Sequence, residues 1–466
     1  MRTIRRLSVL LAVMLTAVVP AIGTVSQGDN RGGSALNMVV VGYHDLGGRG
    51  FNADVWVHEE FAYVGHWGFG DWSPGGENRF CPGFPDNGVA IVDARRPADP
   101  VMVGRLQNPE GTSAEDVVVY TAPYGPLAGR DVAAVGIQVC SGSRFDPSRP
   151  SGLWLWDVTD PTQPSFLGSL GTGCCTRGLH EFEVAHRADL GRTFAYASVP
   201  MSEYVDSSSP SGFLDRAGRG DFRLIDITDP VHPFEVSDWG VVHDLGGAPA
   251  PGQGCDPDPV YGHGAEPSED GTVVFVSYWD SGFIRLDLTD PANPAFTGRT
   301  VYPANADGDA HSSQFDEGRQ LLFAADEDFC KASGAGIEKG FGYMRVYDYA
   351  DPSAPVQIGE YRTPNSRGAD DQGAGDFTIH NNFLVGTTVY SSWYTDGVRV
   401  IDVSDPRAPV EVAYFVPPAG KNPVKPTQRY VLPSTTQVWG VVVDGETGLI
   451  FASDMNTGLW ILRRTA

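Results

Sequence analysis

A short apolar run ending in aspartate recurs along the chain, and a proline-bounded turn follows all but the last copy, which also lacks the aspartate. Gly88–Asp93 (GVAIVD) precedes Pro97 and Pro100, Gly152–Asp157 (GLWLWD) precedes Pro161 and Pro164, and Phe222–Asp226 (FRLID) precedes Pro230 and Pro233. The unit returns at Gly282–Asp287, 343–348 and 397–402, and a seventh copy, 458–462, stops near the C-terminus. β-Branched and aromatic residues crowd these runs, as a strand half-buried in a sheet requires. An aspartate at the strand end can accept backbone N–H groups in an Asx turn, and the D-P-x-x-P segment stops the strand. These aspartates are therefore read as structural.

The first prolines, Pro97, Pro161, Pro230, Pro291, Pro352 and Pro406, follow one another at intervals of 54 to 69 residues. Each interval has room for two earlier strands, such as 272–278, and shows no helical period. Four strands per unit and seven units predict an all-β chain: a seven-bladed β-propeller. The last unit lacks a fourth strand, and 38–42 (MVVVG) resembles the outer-strand text 100–104 (PVMVG). The N-terminal strand is thus expected to join the C-terminal blade and close the ring, removing open sheet edges.

The wording of the repeats, Leu224-Ile-Asp226 and Val400-Ile-Asp402 each followed by a turn with Asp-Pro, resembles the LVIVD-repeat family of secreted bacterial and archaeal proteins. That resemblance implies a propeller and leaves function open, because propellers host many activities. A fainter similarity is to the selenium-binding/methanethiol oxidase propellers, in which histidines hold copper.

At the N-terminus, Arg2, Arg5 and Arg6 precede an apolar run from Leu7 to Val19, followed by the small-x-small text Ala21-Ile22-Gly23. This predicts a signal peptide over 1–23, a short linker over 24–37 and a single propeller domain over 38–466, with a secreted or extracytoplasmic location and no membrane span. Six cysteines (81, 140, 174, 175, 255 and 330) fit an oxidising compartment, and sequence leaves their 15 possible pairings open. With 33 Lys+Arg against 58 Asp+Glu, the net charge is −25. This excludes nucleic acid as the expected partner.

Aligning the units on their innermost strand gives one column: Ala53, Glu115, His180, His263, His311, His380 and Val438. Four consecutive histidines, in a chain holding 10, are expected to converge with Glu115 at one mouth of the central channel. Glu183 and Glu266 stand three residues after His180 and His263, and Asp326 and Glu327 end a second strand near the same mouth. The candidate metal ligands are therefore His180, His263, His311, His380, Glu115, Glu183 and Glu266, and imidazole-rich sites suit a transition metal such as Cu, Zn or Fe. Histidines lining a channel also serve simply to bind trapped water. HExxH, G-x-S-x-G and P-loop motifs are absent.

The longest predicted loops, 67–87, 200–221, 240–262, 327–342 and 416–436, fall on the histidine face, with Trp67, Trp72, Tyr204, Trp279, Tyr390, Trp393 and Tyr394 near its rim. This pattern is compatible with two functions. One is a secreted binding or scaffold propeller that takes an unknown ligand or protein on the long-loop face. The other is a metal-dependent enzyme, an oxidoreductase with copper among its candidate metals, using the same histidines.

Overall fold

The computed structural model describes residues 30–48, 51–68, 81–83, 87–140, 150–173, 176–204, 214–215, 219–245, 260–303, 305–306, 308–329, 340–368, 374–420 and 434–465. The expected signal peptide, Trp72, Cys174, Cys175, Cys255, Cys330 and most of the long loops lie outside these residues.

The chain is all-β, a set of antiparallel sheets with one five-residue helix, Val241–Leu245, among the described residues. One unit shows the plan. Gly262–Pro267, Val273–Tyr278, Gly282–Asp287 and Ala295–Arg299 pair in sequence order, each antiparallel to the last. The same order begins at Asn52–His58, Thr112–Thr121, Phe182–Arg187, Ala310–Asp316, Asn382–Val385 and Val438–Val443. The first two of these units share one sheet through the pair His66 and Ala114. The first strands, termed the inner strands, lie against one another in chain order, and Val438–Val443 lies against Asn52–His58. In the last unit the fourth place is taken by Met38–His44, which pairs with Gly458–Arg464. Ser34–Leu36, inside the segment read as a linker, is itself a strand that extends the neighbouring sheet along Val410–Val416.

The repeated aspartates do the structural work expected of them. Asp226 accepts the amide of Thr228 at 2.9 Å, Asp287 that of Thr289 at 2.7 Å and Asp402 that of Ser404 at 2.8 Å. The aspartate three residues on repeats the turn: Asp229 accepts from Val231 at 3.1 Å and Asp290 from Ala292 at 3.1 Å. The proline turns then pack a carbonyl against the outer strand of the preceding unit, where a glycine usually stands; at Pro291 the place is taken by Ser237, whose hydroxyl donates to the carbonyl at 2.7 Å. A Cβ on Gly298 would lie 1.8 Å from the Pro352 carbonyl oxygen, and one on Gly359 2.1 Å from that of Pro406. Gly42 of the N-terminal strand bears the same relation to Pro97, at 1.7 Å.

Between neighbouring sheets lie layers of buried apolar side chains. Phe194, Leu224 and Trp239 of one unit meet Val274, Val276 and Ile284 of the next, all buried. Each such side chain contributes about 1.5–3 kcal/mol. Tyr390 packs in such a layer and Trp393 is fully buried, with its indole N–H donated to the Phe377 carbonyl at 2.9 Å. These two are core residues rather than rim residues. Cys81 and Cys140 are joined by a disulfide, with Cα atoms 5.1 Å apart, tying the first unit to the second. Among the described residues no helix is long and apolar enough to cross a membrane.

Two outcomes test this arrangement. Met38 is buried between the last unit and its neighbour, so Met38→Ala should cost about 2–5 kcal/mol in chemical denaturation; an unchanged midpoint would show that the N-terminal strand does not support the fold. Non-reducing peptide mapping should recover a Cys81–Cys140 pair, and Cys81→Ser should lower stability by about 2–4 kcal/mol.

Candidate functional site

Every inner strand carries an irregularity where it enters the channel. The pairing skips between Gly262 and Gly264, between Ala310 and Ser312, and between Val438 and Gly440. His180 and Glu181 share one partner residue, Ser198, as His380 and Asn381 share Ser392. In the first two units two residues are skipped, Ala53–Asp54 and Glu115–Asp116. A bulge breaks the alternation of faces and re-aims a side chain. It also corrects the last member of the column, since the skipped residue in that strand is Trp439, not Val438.

The four histidines come together. His180 Nε2 and His263 Nε2 are 2.8 Å apart, and the ring centres of His263–His311 and His311–His380 are 4.0 and 4.2 Å apart. Trp439 continues the arc, 4.3 Å from His380. Glu115 meets His180 Nδ1. The expected Glu183 and Glu266 lie three residues beyond His180 and His263 and line a separate cavity.

Two further carboxylates complete the cluster. Glu181 Oε2 lies 3.6 Å from His263 Nδ1, and Glu181 Oε1 lies 3.6 Å from His311 Nε2. Glu327 Oε2 is 3.4 Å from His311 Nε2, and its Oε1 is 3.9 Å from His380 Nε2 and accepts the Tyr394 hydroxyl. Ligand atoms of Glu181, His311 and His380, and those of His263, His311 and Glu327, form two groups within 4.8 Å, each able to hold a metal ion. Glu327 was legible as the end of a second strand. Glu181 was not, because strict alternation points the residue after His180 away from the channel.

A chain of donors orders the first two rings. Trp67 Nε1, which can only donate, binds Gln138 Oε1 at 3.1 Å, so the Gln138 amide N–H faces His180 Nδ1, at 2.8 Å. His180 therefore carries its proton on Nε2 and donates it to His263 Nε2, leaving the His263 proton on Nδ1, toward Glu181. At His311 and His380 no ring nitrogen makes a well-formed hydrogen bond; the backbone of His380 and of Trp439, respectively, only approaches each ring.

Above the rings a cavity of about 260 Å³ opens, walled by Trp67, Tyr261, Trp279, Phe329, Tyr394 and Trp439. Tyr261 and Trp279 stack with centres 5.4 Å apart. Apolar walls over a few convergent polar groups are the usual build of a small-molecule site.

Burial drives the ionisation of the whole centre. It holds all four histidines well below the usual imidazole range, helped at His180 by the charge of Arg177 and at the others by neighbouring imidazoles. Burial raises Glu115 to about 8 against the pull of Arg177, and lifts Glu181 and Glu327 well above the usual range. Neutral imidazoles are the form that binds metal.

A family model described as "LVIVD repeat" matches residues 49–70. That segment holds the first inner hairpin, Asn52–His58 and Phe61–His66. Among solved structures the chain is similar to Chaetomium thermophilum Raptor, with 10% identity, a TM-score of 0.52 and 92% of this chain aligned. The match spans 29% of the Raptor chain, so it speaks to fold alone. A second similarity, to a chain of the mitotic checkpoint complex, has 10% identity, a TM-score of 0.49, and covers 98% of this chain and 99% of that one. No curated protein matches the sequence. The architecture is therefore propeller-like and the repeat LVIVD-type.

Deeper in the channel, burial raises Asp116 to about 7 and Glu183 to about 8. A carboxyl raised in the folded state contributes stability below its unfolded pKa, near 4, and loses it as pH rises through the folded value. Glu183→Gln, assayed with chelator present, should leave the melting temperature near that of the parent at pH 5 and exceed it increasingly toward pH 9. A gap that does not widen with pH would place the Glu183 carboxyl in ordinary contact with water.

Proposed function

We propose that the chain is an exported, closed seven-bladed β-propeller that binds a transition metal at its channel mouth and presents it to a small molecule. On this reading 1–23 is a signal peptide and 38–466 is one domain. Ring closure is supported by the side-by-side inner strands, by the pairing of Met38–His44 with Gly458–Arg464, and by the Gly42–Pro97 approach. The disulfide agrees with an oxidising compartment.

One observation carries the metal reading. Ring nitrogens of His311 and His380, fully buried and without well-formed hydrogen bonds, face the oxygens of Glu181 and Glu327. Leaving such groups unpaired is costly, and a cation resolves the cost. His311, His380, Glu181 and Glu327 are the proposed direct ligands, and His263, whose Nε2 accepts the His180 proton, turns its Nδ1–H toward Glu181. His180 and Glu115, engaged with Gln138 and with each other, orient His263. Mixed imidazole and carboxylate donors suit Zn, Fe or Cu.

The primary reading is a binding protein whose long-loop face receives the ligand or protein partner. The cavity over the histidines favours a second reading, a metal-dependent oxidoreductase. A structural metal is fully enclosed by protein ligands, whereas a catalytic one keeps a position open. Bound there, the metal would supply Lewis-acid or redox chemistry, and the aromatic walls would exclude water and hold a planar substrate.

Reconstitution with Zn, Cu or Fe and subsequent elemental analysis should give one tightly held equivalent. His311→Ala and Glu327→Gln should each abolish it, while Glu115→Gln should keep the stoichiometry and weaken affinity about tenfold. Failure of the parent protein to retain any of the three metals overturns the metal reading and leaves water-bonded channel lining. In Co- or Cu-loaded protein, a spectral shift on adding azide would separate an open site from a closed one.

A further inference from the structure

The cavity of about 260 Å³ over the imidazoles carries opposite charges at its two ends. Arg177 lines it at the His180 end, where its charge acts on Glu115, His180 and His263. No other arginine and no lysine lines it among the described residues. Asp376 lines it at the far end, where its charge acts on Glu327, the carboxyl beside His380. The arc of histidines runs from one end to the other.

The remaining two carboxyls of the wall are engaged with the rings. Glu115 sits against His180, and Glu327 meets His311 and accepts the Tyr394 hydroxyl. Asp376 is held differently. Its Oδ2 accepts the Gln437 amide N–H at 2.9 Å, and among the described residues no group donates to its Oδ1. The residue is half-buried, so that oxygen is left for solvent or a ligand.

Between the charged ends the walls are flat. Tyr261 and Trp279 stand beside His263 with their rings nearly parallel, 10° apart. On the other side Trp439 stands beside His380, with the rings of Trp67 and Tyr394 centred 5.0 and 5.8 Å from it. Asp376 is tied to this second group. Its carbonyl accepts the amide of Thr395, next to Tyr394, and its side chain accepts from Gln437, two residues before Trp439. Aromatic faces stack on a planar ring, and those of Trp and Tyr also attract a cation.

Size and charge select the ligand. A cavity of about 150 Å³ takes benzene, so one of about 260 Å³ takes a single ring with a small substituent at each end. A guanidinium pairs with a carboxylate. A carboxylate flanked by aromatic faces suits an ammonium. A ring bearing only an anion meets repulsion at Asp376, one bearing only a cation meets it at Arg177, and a neutral ring uses neither group.

We propose that the cavity binds a single-ring aromatic zwitterion, its carboxylate toward Arg177, its ring between the Tyr261–Trp279 pair and Trp439, and its ammonium toward Asp376. This rests on the reading of the cavity as a small-molecule site and not on the metal beneath it.

Mature protein stripped with chelator is titrated by calorimetry with para-aminomethylbenzoate, benzoate and benzylamine. The zwitterion should bind at one equivalent and at least about tenfold more tightly than either singly charged ring, the effect of one further charge-assisted hydrogen bond. Asp376→Asn keeps an acceptor for Gln437, and it should weaken the zwitterion about tenfold without weakening benzoate. Arg177→Gln should weaken the zwitterion and benzoate alike and spare benzylamine. Arg177 is buried, so the Asp376 variant and the three parent titrations decide the matter if that variant does not fold. Protein that holds no metal yet binds the zwitterion keeps this site and loses the metal reading; protein that holds metal and binds none of the three rings does the reverse. The proposal is overturned if none of the three binds, if benzoate or benzylamine binds as tightly as the zwitterion, or if Asp376→Asn weakens benzoate as much as the zwitterion.

Discussion

The bulge at the mouth end of each inner strand is the constraint on which the centre depends. A regular strand sends successive side chains to opposite faces, so it can offer the channel only every second residue. Skipping one residue at His263, His311 and Trp439, and opposing His180–Glu181 to a single partner, brings two adjacent positions to the axis. The imidazoles then form one level and the residues immediately after them form the next. Without that irregularity Glu181 would point into a sheet interface, and both levels would lose the carboxylate that faces two histidines.

The bulges stay in place because the units are held at fixed spacing. Asx turns at Asp226, Asp287 and Asp402 set where each third strand ends. The carbonyl of the next proline packs against a glycine of the preceding outer strand, as at Gly298 and Gly359, where any side chain would collide. The apolar layers between sheets contribute most of the stability, and the turns and glycines set the angle at which those layers meet. Among the described residues the histidines and the buried carboxyls gather instead where the inner strands approach one another.

Electrostatically, many ionisable groups gather here with their side chains buried. Burial keeps the histidines neutral and the carboxyls protonated, so each group is held in the form that costs least when nothing is bound. Stability should therefore fall on the acid side, as unfolded histidines take up protons that the folded state refuses, and on the alkaline side, as carboxyls ionise. A cation of the kind proposed would relieve the second cost by replacing protons with a charge that the Glu181 and Glu327 oxygens face.

Much of this was legible in the chain. The β-rich runs, their terminal aspartates and the spacing of the prolines are local, repeated signals, and repetition lets weak local preferences be read with force. The histidine column was visible for the same reason. What the sequence could not reveal was register. Val438 and Trp439 are neighbours, and only the pairing across Asp454 and Ser453 decides which one turns to the axis. Likewise Glu183 and Glu266, three residues after a histidine, look like partners of that histidine until the bulge sets them deeper, while Glu181 arrives at the rings from a position with no helpful spacing and Glu327 from the strand end where the sequence suggests it. The sequence by itself determined the β-rich runs and the turns that end them, because those depend on nearest-neighbour chemistry. Tertiary structure alone decided which carboxylates meet which imidazoles, because a one-residue skip in a sheet reverses the face a side chain presents, and that skip is stabilised by contacts between strands far apart in the chain.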